Sequence, residues 1–408
     1  MYNVAISIYS FLVRLVSPFH KKAKLMIEGH NETFQILREQ IDPKSKYVWF
    51  HVASLGEYEQ AQPMMEIIKK ENPSYKILLS FFSPSGYEVQ KNNDTADVVC
   101  YLPFDTKKNA QLFLDLVNPA IAIFVKYEFW YHFIHQLYLR EIPVYLISAV
   151  FRPNQLFFKP WGDVYTKILR YYTQIFVQNE ESKNLIQGQG LNNVTVMGDT
   201  RIDRVIKIKE KALPLPVVKK FAKPKNSETT LVAGSSWPED ENILISYFNT
   251  HAYLRLIIAP HLIDETHLKQ IESKLKRPFV RYSQATEDNI LNYDCLIVDN
   301  FGLLSSIYQY GEIAYIGGGF GAGIHNLPEA AVHGIPVIFG PHYHKFLEAQ
   351  ELLKNGGGYS INNEVDFNKI LKKLVTSPQD RKTAGQKASE YIYANAGATQ
   401  KIVSQLAL

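Results

Sequence analysis

The sequence predicts an α/β protein made of two doubly wound domains in succession, each a parallel sheet covered by helices on both faces. Three observations predict it. From Lys46 onward, short apolar runs of strand length alternate with longer amphipathic stretches, the pattern of strands buried on both faces. The series breaks once, in residues 212–226, and then starts again. A chain of 408 residues is too long for one core and fits two domains of roughly 150 to 200 residues each.

In chain order, Val4 to Val16 (VAISIYSFLVRLV) is apolar apart from two serines and Arg14. The run is shorter than the ~20 apolar residues that span a bilayer and breaks at Ser17-Pro18. Only Met1-Tyr2-Asn3 precede it, so it lacks the leading cations of a cleavable signal. His20, Lys21, Lys22 and Lys24 follow it, an order that suits a helix lying in a membrane surface near anionic head groups. A first helix packed on the protein body is the alternative. Residues 1–30 are therefore expected to form a membrane-surface or anchor segment.

The strands of the first domain, residues 31–211, are read from YVWFHVA, YKILLSFF, VVCYLPF, AIAIFVKY, PVYLISA, QIFVQN and VTVMG. Residues 212–226 (ALPLPVVKKFAKPKN) carry three prolines and four lysines without strand or helix periodicity and are expected to be the linker. The second domain, residues 227–385, repeats the alternation in TTLVAGS, LRLIIAP, PFVRYS, DCLIVDN, IAYIGGG and PVIFG. Residues 386–408 lie in a closing helical stretch, expected to cross back onto the first domain.

Composition narrows the function. A formal net charge of +4 is too small for a nucleic-acid binder. The two cysteines, Cys100 and Cys295, make neither a disulfide framework nor a CxxC pair. His342 and His344 form an HxH pair near His325 without a third ligand of fitting spacing, so neither a metal nor another cofactor is expected.

Ligands of open α/β sheets bind beyond the carboxyl ends of the strands, and two such domains place the expected site in the cleft between them. The richest stretch is Tyr315 to Gly340, YIGGGFGAGIHNLPEAAVHGIPVIFG. It reads as strand, glycine-rich turn, helix start and strand, the order of a nucleotide pocket. The glycines, Gly318 and Gly319 among them, let a phosphate approach the backbone. Pro328 suits a first helical turn, whose free amides favour an anion. Glu329 is placed to accept from ribose hydroxyls, and Asn326 belongs to the same HNxxE group.

Other strand ends carry the remaining candidates. HVASLGEYE puts Ser54, Leu55, Gly56 and Glu57 in a turn entering a helix, where the helix dipole would keep the Glu57 carboxylate ionised and available as a base. Lys126 and Glu128 follow AIAIFV, and period-two spacing would point them to one side as an ion pair or polar wall. Arg201 in GDTRID could bind an anion bidentately. Ser235 and Ser236 follow Gly234 and offer hydroxyls to a phosphate, or serve as ordinary helix caps. Pro260-His261 closes LRLIIAP.

Taken in order over nearly the whole chain, these segments resemble the Kdo transferases, which move 3-deoxy-D-manno-octulosonic acid from CMP-Kdo to the lipid A precursor in lipopolysaccharide assembly. WFHVASLGE, LLSFFSPSGYEV, YLPFD, KYEFW, GDTRID, GSSWPEDE and GGGFGAGIHNLPEAAVHGIPVIFGP carry the resemblance. It implies a metal-independent GT-B fold of two Rossmann-like domains acting with inversion, with Glu57 as catalytic base and Glu128 in acceptor handling. Ser54, Gly56 and Lys126 would line the acceptor side. Arg201, Ser235, Ser236, Pro260, His261, Gly318, Gly319, Asn326 and Glu329 would hold CMP-Kdo. The implied location is the cytoplasmic face of the cell inner membrane. Lys126 stands where the family commonly has an acid, Tyr131 where it has proline, Trp237 where it has histidine, and PHLIDETH replaces PRHPER. The pocket features would equally serve a UDP-sugar transferase or a sugar 2-epimerase, and a noncatalytic sugar-nucleotide or membrane-surface binder would use Glu57 only as a helix cap.

Overall fold

Trp49 and Phe50 are chain neighbours that lie on opposite faces of one sheet. Trp49 packs with Phe113, Phe124 and Phe133, and Phe50 with Met64, Met65 and Ile123. A strand buried on both faces has no polar alternation to show, which is why these runs are apolar throughout. The computed structural model describes residues 2–159, 162–222 and 228–408. They divide into two units, Met1–Arg204 with Ala396–Leu408, and Val205–Asn395.

The first unit holds β1 (Lys46–Val52), β2 (Tyr75–Phe81), β3 (Val98–Tyr101), β4 (Ile121–Val125), β5 (Val144–Ala149), β6 (Gln174–Val177) and β7 (Val194–Val196). Their order across the sheet is β3-β2-β1-β4-β5-β6-β7, with every neighbour parallel. The chain winds outward from β1 to β3, then returns to β4 on the other flank of β1. The strand order thus reverses between β1 and β4.

The second unit holds β8 (Thr229–Ser236), β9 (Leu254–Pro260), β10 (Phe279–Arg281), β11 (Cys295–Ile297), β12 (Ile313–Ile316), β13 (Val337–Phe339) and β14 (Gly358–Ser360). The order is β10-β11-β9-β8-β12-β13-β14, again all parallel, and the reversal falls between β8 and β12. All strands read from sequence are present. The three-residue β14 is additional, too short and too glycine-rich to carry a pattern.

Three segments depart from expectation. Residues 216–222 of the expected linker form the helix Pro216–Ala222. Pro216 has the fixed φ of a first turn, Val218 and Phe221 are buried, and the Arg255 guanidinium lies 4.1 Å from the Phe221 ring. Residues 223–226 lie outside the described residues. The closing stretch is two helices: Pro378–Ala394 stays with the second unit, while Ala398–Val403 joins the first. There Ile402 and Val403 enter the core, and the Asp203 carboxylate accepts from Gly397 N at 2.5 Å and Thr399 N at 2.7 Å.

At the N-terminus, residue 30 is no boundary, because the helix Lys21–Gln40 runs through it and buries Met26, His30, Thr33 and Leu37. Gly29 in that helix touches the sheet so closely that a Cβ would stand 2.1 Å from the Tyr101 ring. The preceding helix, Tyr2–Val16, buries none of its residues. Its first turn is fastened by Tyr2 OH to Asp105 and by Asn3 Oδ1 to His132 Nε2 at 2.6 Å. No single helix among the described residues is long and apolar enough to cross a membrane.

Candidate active site

The turn after β1 enters the helix Leu55–Glu71 with Ser54 as its N-cap residue. Ser54 does not cap a backbone amide; its hydroxyl donates to Glu57 Oε2. Glu57 sits in the first turn, where the helix dipole favours a carboxylate. Gly56 is exposed beside it, and a Cβ there would meet only Ser54 Oγ at 3.8 Å.

Lys126 follows β4 with φ +63, a left-handed conformation uncommon for a residue with a Cβ and often found where function holds the backbone. Its Nζ lies 3.6 Å from Glu57 Oε1. This turn ends the extended alternation, so Lys126 and Glu128 do not form the shared wall expected from period-two spacing. Lys126 faces Glu57. Glu128 faces His51 and Trp130 instead, with Oε2 at 3.0 Å from His51 Nε2 and 2.6 Å from Trp130 Nε1.

Arg201 belongs to the first unit, where Nε and a terminal nitrogen donate to Asp199 Oδ2 at 2.9 and 2.6 Å. Gln60 of the helix Leu55–Glu71 donates to Asp199 Oδ1 at 3.1 Å. Burial would raise the Asp199 carboxyl, but the charge and hydrogen bonds of Arg201, with the Lys126 charge, outweigh it and hold the carboxyl below its ordinary range. Asp199 and Gln60 were not foreseen. Only the GDTRID context pointed near them.

The second unit builds its site at its own reversal. Ser235, the penultimate residue of β8, has φ +53. Ser236 is fully buried and its hydroxyl donates inward to Glu241 Oε1 at 3.0 Å, which also meets His267 Nε2 at 2.9 Å. The Ser236 hydroxyl is thus engaged in an inward bond. Asp240 ties the helix Pro238–Thr250 to the glycine-rich turn, accepting from Trp237 N, Tyr315 OH and Gly318 N at 2.9, 2.7 and 2.9 Å. Sequence reading missed Asp240 and Glu241. An acid three residues after a helix-start position was the available signal.

Two glycines are explained by backbone meeting backbone. A Cβ on Gly317 would stand 2.2 Å from Ser235 O, and one on Gly319 2.6 Å from Gly340 Cα. The turn is followed by His325, whose Nε2 accepts from Trp237 Nε1 at 3.0 Å. These two rings are nearly parallel, and His261 stacks on both, its centroid 4.7 Å from Trp237 and 4.5 Å from His325. Burial and then the neighbouring His261 lower His325 to about 4; burial lowers His261. Neutral rings are favoured, and the Trp237 bond fixes the His325 proton on Nδ1.

Pro260 closes β9 in a buried position, and His261 N donates to Ser236 O at 2.9 Å. Asn326 Nδ2 donates to Glu329 Oε1 at 2.8 Å, while Asn326 Oδ1 is buried without a hydrogen-bond partner. An unsatisfied buried acceptor beside a glycine turn suits a ligand donor. Among the described residues no group of three His, Cys, Asp or Glu side chains is arranged for a metal ion.

Two parallel sheets, each with its polar residues gathered where the strand order reverses, are the frame of the GT-B fold. The family model of 3-deoxy-D-manno-octulosonic-acid transferase (kdotransferase) matches residues 28–204. The 3-deoxy-D-manno-octulosonic acid transferase of Aquifex aeolicus (strain VF5) is 29% identical over 343 residues, covering 82% of this chain and 88% of that one. That of Chlamydia muridarum (strain MoPn / Nigg) is 26% identical over 382 residues, covering 89% and 85%. These matches support the Kdo transferase family. The fold likeness extends further: the calicheamicin glycosyltransferase CalG4 superposes with a TM-score of 0.54 at 12% identity, covering 90% of this chain and 100% of that one.

Proposed function

We propose that the protein transfers Kdo from CMP-Kdo to the phosphorylated lipid A precursor, with inversion at the anomeric carbon and without a metal ion. The observation that carries this reading is Glu57, a carboxylate at a helix start beside the strand-order reversal, contacted by Ser54 and Lys126. The likeness to 3-deoxy-D-manno-octulosonic acid transferases supports Kdo as the transferred sugar.

In the reaction, an acceptor hydroxyl gives its proton to Glu57 as its oxygen attacks the anomeric carbon of Kdo. The bond from that carbon to the CMP phosphate oxygen breaks on the opposite face, and the electron pair leaves with CMP. The phosphate charge is met by the Ser235 hydroxyl and the glycine-turn amides. Asn326, through its unpartnered Oδ1, and Glu329 bind the nucleoside, and Arg201 contributes its guanidinium to an anionic group.

The acceptor is a membrane lipid, so the protein is proposed to work on the cytoplasmic face of the inner membrane. Val4, Ile8, Phe11, Leu12 and Leu15 of the first helix are exposed, Phe19 is 91% exposed, and Lys21, Lys22 and Lys24 come next. Apolar side chains followed by cations fit an anionic membrane surface.

Purified protein given CMP-Kdo and a tetra-acylated lipid A precursor, with EDTA present, tests the reading. Transfer of Kdo supports donor, acceptor and metal independence together. Consumption of UDP-sugars in place of CMP-Kdo, or CMP binding without turnover, contradicts it.

A further inference from the structure

Beneath Glu128 lies a buried chain of hydrogen bonds that the mechanism above does not use. His51 is fully buried in β1, and so is Ser80 in β2. Trp49 Nε1 donates to Ser80 Oγ at 2.8 Å, Ser80 Oγ meets His51 Nδ1 at 2.9 Å, and His51 Nε2 meets Glu128 Oε2 at 3.0 Å. Trp130 Nε1 donates to the same Glu128 oxygen at 2.6 Å.

Trp130 Nε1 also lies 2.9 Å from His51 Nε2, so the carboxylate decides the assignment, with both N–H groups converging on Oε2. A carboxylate only accepts, so His51 Nε2 carries a proton toward Glu128. With that proton on Nε2, Nδ1 accepts from the Ser80 hydroxyl, and Ser80 accepts from the Trp49 indole. The reverse tautomer would set a nitrogen lone pair against the carboxylate at 3.0 Å. Tyr172 OH fixes the backbone of the same residue, donating to Glu128 O at 2.9 Å.

The arrangement is one-sided. Both side-chain donors meet Oε2, Glu128 is 8% exposed, and Oε1 has no partner among the described residues. We propose that His51 is a positioning residue for the acceptor: with Trp130 it pins Oε2, so that Oε1 is held ready to accept a hydrogen bond from an acceptor sugar hydroxyl. This rests on the transferase reading for the identity of the acceptor, though not for the geometry. Ser80 and Trp49 complete the relay by fixing the tautomer.

Kinetics on the full-length protein with CMP-Kdo and the lipid acceptor test it. His51→Leu is expected to raise the acceptor KM about tenfold or more, the scale of a lost hydrogen bond to a charge, with the donor KM within about twofold. His51→Gln, which keeps an N–H near the Nε2 position, is expected to recover most of the loss. Glu128→Gln should lose as much as His51→Leu, and the double variant no more than either, because coupled residues are not additive. Additive losses, or donor and acceptor KM rising together, overturn the proposal.

A substrate-free readout separates this failure from failure of the transferase reading. Histidine ¹⁵N NMR of the wild type is expected to show His51 as the Nε2–H tautomer, altered in Glu128→Leu. An Nδ1–H tautomer in the wild type overturns the relay whatever sugar the enzyme transfers.

Discussion

Lys126 Nζ stands 3.6 Å from Glu57 Oε1, joining the residues that follow β4 and β1 where the strand order of the first sheet reverses. The contact depends on a left-handed backbone at Lys126, φ +63, so charge placement and local strain are one feature. Lys126→Gly and Lys126→Ala both remove the ammonium and are expected to lower turnover alike. Glycine also relieves the strain, so Lys126→Gly should be the more stable of the two by roughly 1 kcal/mol, the left-handed penalty less the entropy that glycine adds to the unfolded chain. Steady-state rates and denaturant unfolding on the same pair check this.

The Asp199–Arg201 pair should reverse its pH dependence when broken. In the wild type the folded Asp199 carboxyl titrates below its ordinary value, so it adds stability above about pH 4 that is lost as pH falls through the depressed folded value. Arg201→Met leaves the carboxyl buried without its main partner, which raises it. The variant is then expected to be least stable relative to wild type near neutral pH, and the gap in melting temperature should narrow toward pH 4.

His30 gives a second pH signature. Both of its ring nitrogens are buried without partners, against Phe104 at 4.5 Å and Tyr101 at 5.8 Å, and burial, then Arg14, lower it from 6.5 to about 4. The unfolded chain binds the proton first, so stability is full above pH 6.5 and falls as pH drops toward 4. His30→Leu is expected to flatten that part of the stability curve, measured by thermal unfolding over the same range.

The glycine turn should sort by position. Gly317→Ala drives a Cβ to 2.2 Å from Ser235 O, whereas Gly321→Ala meets only Gly318 O at 3.7 Å. Gly317→Ala is expected to cost about 1–3 kcal/mol and to weaken CMP binding. Gly321→Ala should stay within about 0.5 kcal/mol of wild type. Calorimetric binding and thermal melts distinguish them.

Much of the fold was legible because parallel strands buried on both faces announce themselves as unbroken apolar runs; Val48 to Val52 needed no tertiary information. Glu57, Ser54 and Lys126 were found because strand ends are where such folds place polar groups, and all three come together. The rest depended on which way side chains turn and on distant contacts. No periodicity says that Ser236 bonds inward to Glu241 five residues on or that Arg201 turns back to Asp199 two residues away, and Asp240 reaches Gly318 across 78 residues. Lys126 and Glu128 part company because one left-handed residue cancels a period that sequence can only assume. Pro216–Ala222 is helical because Phe221 finds Arg255, a partner that a local propensity reading lacks.

The central claim is that Glu57 takes the acceptor proton. Its most direct test is Glu57→Gln, comparing single-turnover transfer of Kdo from CMP-Kdo with calorimetric binding of CMP. The expected result is transfer reduced by about 10² to 10⁴, the range of a lost general base, with CMP affinity unchanged. Transfer at the wild-type rate by a folded Glu57→Gln protein would contradict the account.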